Sequence, residues 1–265
     1  MSARPAFERF EGTAGRYAQF RPAYPSSLLA ALRAKILREP PPVSLDDGVV
    51  LDVGAGTGIF TRQLREHLPA TIEVVGVEPG ADMRKTAIAA STGKPGLRYV
   101  EGAAESLPFA DDAARAVLSA TAAHWFDRPR YYAEAARVLK PGGLLAIVQY
   151  VRDVAGSRAA KASVDFLTEW GEPWAYDRPD YAAELEQLPG FGELDYVGER
   201  ASLALAPAQF VGLMLSSSHG RPAIEKLGKT GAEQKAHLLA DSLKGADGLI
   251  DYGYIFQAFT LRRDR

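Results

Sequence analysis

From residue 49 onward, short apolar runs alternate with longer segments of helical periodicity. Val49-Val50-Leu51-Asp52-Val53 is a run suited to a strand buried on both faces. A glycine-rich stretch follows, then a helix over 60–67. The pattern predicts a second strand at 73–77, a helix over 81–90, a third strand at 97–100 and a fourth at 116–120. A helix over 131–139 is expected to stop at Lys140-Pro141-Gly142-Gly143, with a fifth strand at 144–151 after it. Strands alternating with helices at this spacing imply a doubly wound α/β fold, with a parallel sheet and right-handed crossovers.

Both ends read differently. Residues 27–37 form a helix and Pro40-Pro41-Pro42 ends it, so 1–47 is expected to be a helical lid. Beyond Arg152 the alternation breaks. Helical segments are predicted at 159–170, 207–216 and 232–243, and strands at 194–205 and 254–261, with 171–189 rich in aromatics and proline. This divides the chain into a lid (1–47), a core (48–151), and a mainly helical cap with the two last strands (152–265).

Composition narrows the chemistry. The chain has 265 residues, and its net charge of −2 lacks the basic excess of a nucleic-acid binder. It has no cysteine, which excludes disulfides, thiolate metal sites and a thiol nucleophile. The four histidines show no metal-ligand spacing, so no metal is expected. No stretch approaches the roughly 20 apolar residues of a membrane span, and the first residues lack a signal-like run. The expectation is a cytoplasmic enzyme with a small-molecule substrate, as a monomer or homodimer, without nucleic-acid or membrane partners.

The strongest candidate site is the turn after the first strand, where Gly54, Gly56 and Gly58 follow Asp52. In open parallel sheets, ligands bind beyond the carboxyl ends of strands, and glycines let the backbone approach them. The helix after the turn is expected to offer free N–H groups. The spacing departs from the dinucleotide fingerprint G-x-G-x-x-G, since the third glycine arrives one residue early and Ile59 takes its place. Asp52 would repel a pyrophosphate but suits a cationic group such as the amino group of a methionyl tail. Glu78, at the end of the second strand, is placed to receive both hydroxyls of an adenosyl ribose.

These residues resemble the first motif of class I S-adenosylmethionine-dependent methyltransferases, with Glu78 as the ribose acid. The resemblance extends through Tyr17-Ala18-Gln19-Phe20-Arg21-Pro22-Ala23-Tyr24-Pro25, Gly102-Ala103-Ala104-Glu105-Ser106-Leu107-Pro108-Phe109, Ala123-His124-Trp125-Phe126-Asp127 and Arg137-Val138-Leu139-Lys140-Pro141-Gly142-Gly143. In family order these are similar to small-molecule methyltransferases of the trans-aconitate and ubiquinone-biosynthesis type. The resemblance implies a seven-stranded sheet with an antiparallel last strand, which 254–261 fits. Arg115 stands where the family usually carries an acid, just before the fourth strand.

The resemblance implies S-adenosylmethionine as cofactor, held by Tyr17, Arg21, Asp52, Gly54, Gly56, Gly58, Glu78, Ala104, Glu105 and Thr121. Arg21 would face the methionyl carboxylate or an acidic substrate. Ala104 and Glu105 would present backbone N–H to adenine, and Thr121 would line the methionyl end through its backbone. His124 is the candidate base or acceptor-orienting group, and Trp125, Trp174 and His219 are candidates for binding the acceptor. Methyl transfer to an oxygen, nitrogen or carbon atom remains open on these residues. Two alternatives stand beside it, a protein that keeps the cofactor site without methylating and a nicotinamide-dependent oxidoreductase. No Asn/Asp-Pro-Pro-Tyr/Phe motif follows the fourth strand, where Thr121-Ala122-Ala123-His124 stands. That disfavours amino-methylation of nucleic acids.

Overall fold

The computed structural model describes residues 21–37, 48–171, 179–217 and 220–264. Its elements in chain order are α1 (Ser26–Leu37), β1 (Val49–Val53), α2 (Ile59–His67), β2 (Val74–Val77), α3 (Ala81–Ala90), β3 (Leu97–Val100), β4 (Ala114–Ala120), α4 (Arg128–Val138), β5 (Leu139–Arg152), α5 (Arg158–Trp170), α6 (Tyr181–Leu185), β6 (Asp195–Leu205), α7 (Pro207–Leu215), α8 (Gly220–Leu243) and β7 (Ile250–Arg262). The strands form one seven-stranded sheet of order β3-β2-β1-β4-β5-β7-β6. β1 to β5 pair in parallel, and β7 runs antiparallel to both β5 and β6. The doubly wound sheet with an antiparallel last strand is therefore as expected.

The central strands are apolar on both faces because helices cover both. Val50 of β1, Val74 of β2 and Leu118 of β4 belong to one core cluster, with Leu28, Leu29 and Leu32 of α1, Phe60 and Leu64 of α2, and Phe166, Phe210 and Phe256. Leu51, Val53, Val75 and Val117 face the other cluster, with Tyr131, Ala135 and Val138 of α4 and Tyr181 and Leu185 of α6. α1 is thus a packed layer, and among the described residues only 21–25 lead from it across the sheet's carboxyl edge. α5, α7 and α8 cover the β5–β7 end of the first face.

Several elements depart from the sequence pattern. Lys140-Pro141-Gly142-Gly143 ends α4, but the chain then continues straight into β5. The irregularity is absorbed in pairing, where Ala114 faces Leu139 and Ala116 already faces Leu144. Arg115 sits at this slip inside β4, buried, and not ahead of the strand. α6 forms where no element was expected, with the Asp180 side chain accepting the Ala183 N–H as its cap. α8 begins at Gly220, well before 232, and is broken at Gly228, whose φ of 70° no helix adopts. Among the described residues no helix is long and apolar enough to cross a membrane.

Tyr131 is fully buried, and its hydroxyl has no hydrogen-bond partner among the described residues. Its ring meets Phe126 edge-on at 5.0 Å. Removing a buried, unsatisfied hydroxyl removes a desolvation cost, so Tyr131→Phe is expected to stabilise the fold by about 1 kcal/mol. Chemical denaturation of the two proteins measures this, and a less stable variant would show that the hydroxyl is satisfied.

Candidate active site

A cavity of about 300 Å³ opens where the carboxyl ends of β1, β2, β4 and β5 meet. The strand order reverses between β1 and β4, and α2 and α4 leave toward opposite faces, so the crevice lies at the topological switch point.

Asp52, Gly54 to Thr57, Ile59 and Phe60 give the floor. Gly54 has a φ of 74°, and a Cβ there would lie 2.6 Å from the Ala122 Cβ. Any larger residue would collide with the loop after β4. Gly56 has a φ of 55°, and a Cβ there would meet nothing within 4 Å, so the turn leaves open space toward the cavity. The N–H groups of all three glycines are nevertheless used within the protein. Gly54 donates to the Val77 carbonyl (2.9 Å), Gly58 to the Ala55 carbonyl (2.9 Å) and Gly56 to Glu78 Oε2 (2.8 Å). The glycines thus shape the floor and spend their own N–H groups within the protein.

Two carboxylates face this floor. Glu78 follows β2 and is nearly buried, and its Oε1 accepts the Gly80 N–H at 2.8 Å while Oε2 accepts that of Gly56. Each oxygen keeps a lone pair for a ligand. Burial raises its pKa, and those two bonds and Arg84 oppose the rise. Asp52 is 1% exposed. Its Oδ2 accepts the Thr61 hydroxyl at 2.6 Å, and its Oδ1 has no partner among the described residues. Burial pushes the Asp52 carboxyl up to about 7, the Thr61 bond works against this, and the Glu78 charge adds to it. A buried carboxylate with an unmatched oxygen on a cavity wall is a ready partner for a cation.

The opposite wall comes from β4, β5 and the segment before α1. Thr121 leaves β4 with a φ of 53°, strained for a β-branched residue. Its N–H is spent on the Val148 carbonyl at 2.7 Å, so it meets the cavity through its other groups. Its Oγ1 shares a hydrogen bond of 2.8 Å with the Tyr24 hydroxyl. The Tyr24 backbone is clipped to the Gln63 side chain in both directions, at 2.9 and 3.0 Å. Arg21 donates to the Tyr150 hydroxyl at 2.9 Å, and both line the cavity. Tyr24 and Tyr150 were not singled out from sequence. Tyr150 stands at the carboxyl end of a parallel strand, a signal that points to the ligand crevice in this fold.

Of the residues expected from sequence, Arg21, Asp52, Gly54, Gly56, Glu78, Ala104, Glu105, Thr121 and Trp125 line this one cavity. Gly58 lies beside it, against Tyr99. His124 sits in a single 3₁₀ turn, Ala123–Trp125, and packs on Trp125 at 4.9 Å. The wall runs through Ala122, Trp125 and Phe126 and does not include His124. Tyr17, Trp174 and His219 lie outside the described residues.

Residues 51–147 match the family model of a methyltransferase domain. An uncharacterized methyltransferase of Mycobacterium tuberculosis (strain ATCC 25618 / H37Rv) is 38% identical over 144 residues, 54% of this chain and 53% of that protein. The match thus spans about half the length of that curated relative. An uncharacterized methyltransferase-like protein of Schizosaccharomyces pombe is 28% identical over 223 residues, covering 82% of this chain and 80% of that one. Among solved structures, a protein of Anaeromyxobacter dehalogenans provisionally named a type II methyltransferase superposes with a TM-score of 0.63 at 22% identity, over 93% of this chain and 98% of that one. Phosphoethanolamine N-methyltransferase 2 of Haemonchus contortus, in complex with S-adenosyl-L-methionine, gives 0.55 at 18% identity, over 98% of this chain and 60% of that one. At these identities the structural likeness is one of fold.

The Asp52 environment has a measurable consequence. The folded chain holds a proton on this carboxyl that the unfolded chain has released. The resulting stability is full below about pH 4 and declines as pH rises, until it is gone above about pH 7. Compared with Asp52→Asn, the ligand-free wild-type protein is expected to lose Tm between these limits. Parallel Tm–pH curves for the two proteins would contradict the placement of Asp52.

Proposed function

We propose that this chain is a class I S-adenosylmethionine-dependent methyltransferase and moves the methyl group of that cofactor to a small-molecule acceptor by in-line displacement. One observation carries the reading. Around a glycine turn that leaves its middle residue facing open space, a carboxylate with spare lone pairs and a carboxylate with an unmatched oxygen face the same cavity. That pair fits a ribose diol beside a cationic tail.

In this reading Glu78 receives the ribose hydroxyls while its backbone bonds hold it in place. Asp52 Oδ1 takes the ammonium of the methionyl part, with Thr61 fixing the other oxygen. Arg21 faces the methionyl carboxylate, and its bond to Tyr150 sets its direction. Thr121 borders the same end, while Ala104 and Glu105 border the adenine. Bound S-adenosylmethionine supplies a methyl group already activated on a sulfonium. The chain's own work is then to bind, to orient and to exclude water. Tyr24, Trp125, Phe126 and Tyr150 form the remaining, largely aromatic wall and are assigned to the acceptor side. His124, the candidate acceptor-orienting group, packs on Trp125 beside this wall. A proton acceptor is needed only where the methylated atom must lose a proton.

Titration calorimetry with S-adenosylhomocysteine tests the two carboxylates. Glu78→Ala is expected to weaken binding by roughly 1–3 kcal/mol, the cost of leaving polar groups unpaired, and unchanged affinity would remove the ribose assignment. Binding a cation favours ionised Asp52, so affinity should rise from about pH 6 to about pH 8 as that carboxyl gives up its proton. Asp52→Asn should flatten the profile, and a variant that keeps the full slope would detach Asp52 from the ammonium.

A further inference from the structure

The loop 102–111 gives the cavity the Ala103 to Glu105 wall but has little structure of its own, an isolated bridge between Ala103 and Ser106. It is hung on α4. Arg137, in the last turn of that helix, donates from Nη1 to the Phe109 carbonyl (2.9 Å) and Asp111 Oδ1 (2.8 Å). Nη2 donates to the Leu107 carbonyl (3.1 Å) and Glu134 Oε2 (2.8 Å), and Nε to Glu134 Oε1 (2.8 Å). These contacts use the donor set of a guanidinium in full. Glu134 Oε2 also accepts the Leu107 N–H at 2.8 Å. At the helix's other end, Glu105 Oε1 accepts the Asp127 N–H at 2.8 Å.

We propose that Arg137 and Glu134 are positioning residues for the cofactor's adenine, acting through this loop without touching the ligand. The inference rests on the reading of the cavity given above. Neither residue lines the cavity. They fix Leu107 and Phe109, directly beyond the Ala104–Glu105 backbone that faces the adenine. A wall without strand or helix must otherwise be ordered at the moment of binding, and that ordering is subtracted from affinity. A planar fork that holds two carbonyls and two carboxylates at once is specific to arginine, because a lysine ammonium offers no such geometry. The bond from Arg137 holds the Glu134 carboxyl below its ordinary range, so the clasp stays charged at neutral pH.

The test is calorimetry on the full chain with two probes, S-adenosylhomocysteine and S-inosylhomocysteine, which differ at the adenine edge. Arg137→Lys and Glu134→Gln are expected to lose about tenfold in affinity for the adenosyl probe and to narrow its preference over the inosyl one. Asp111→Asn, which takes only the charge from an exposed partner of Arg137 and keeps an acceptor oxygen, should match the wild type in both. A general loosening of the fold would lower both affinities together and leave their ratio unchanged, and that outcome overturns the proposal. Wild-type affinity and ratio in a folded Arg137→Lys protein overturns it as well. A wild-type chain that binds neither probe would instead remove the reading of the cavity on which the proposal stands.

Discussion

β1 and β4 lie side by side in the sheet, yet the chain leaves them toward opposite faces, into α2 and α4. Their carboxyl ends therefore part, and the cavity opens between them. The whole site is built around that constraint. Asp52 is held at the lip by Thr61 of α2, and Glu78 reaches it from β2. Thr121 turns out of β4 through a backbone conformation that its side chain disfavours.

A strained residue, Thr121, and two unmatched polar groups meet at this cavity. Asp52 Oδ1 and the Thr57 hydroxyl are both buried without partners among the described residues, and both residues line the cavity. Away from this edge the central strands carry apolar residues packed on both faces. A fold that keeps an unsatisfied carboxylate oxygen on a cavity wall gives up stability there, and the ligand's cationic end is the natural compensation.

The two sides of the site are organised by different parts of the chain. The adenine side hangs on α4, through Glu105 and Asp127 at one end and Arg137 and Glu134 at the other. The opposite side depends on the segment before α1, clipped to α2 through Gln63 and to β4 and β5 through Tyr24 and Arg21. Each side is thus tied to a packed helix, which places loop backbone against the cavity without strands of its own.

The first strand, the glycine turn and Glu78 were readable along the chain because each depends on local rules. A strand buried on both faces must be apolar throughout, a sharp turn beside a neighbouring loop requires glycine, and the end of β2 falls at a fixed interval in a parallel α/β unit. The same local rules found most helices, but they misplaced the start of β5, where a glycine-proline stop was absorbed as a pairing slip. They were silent on what joins residues far apart in sequence. Arg21 meets Tyr150 across 129 positions, and Tyr24 meets Thr121 across 97. Sequence periodicity carries no record of such pairs, since they arise only when separate crossovers bring strand ends to one edge. For the same reason the sequence suggested His124 as a site residue, while the 3₁₀ turn set Trp125 on the cavity wall with His124 packed on its ring. What the sequence determined by itself was the kind of ligand edge this chain builds. Which side chains face that edge, and which hydrogen bonds the glycines keep for the protein, was decided only by the packing of the helices that cover the sheet.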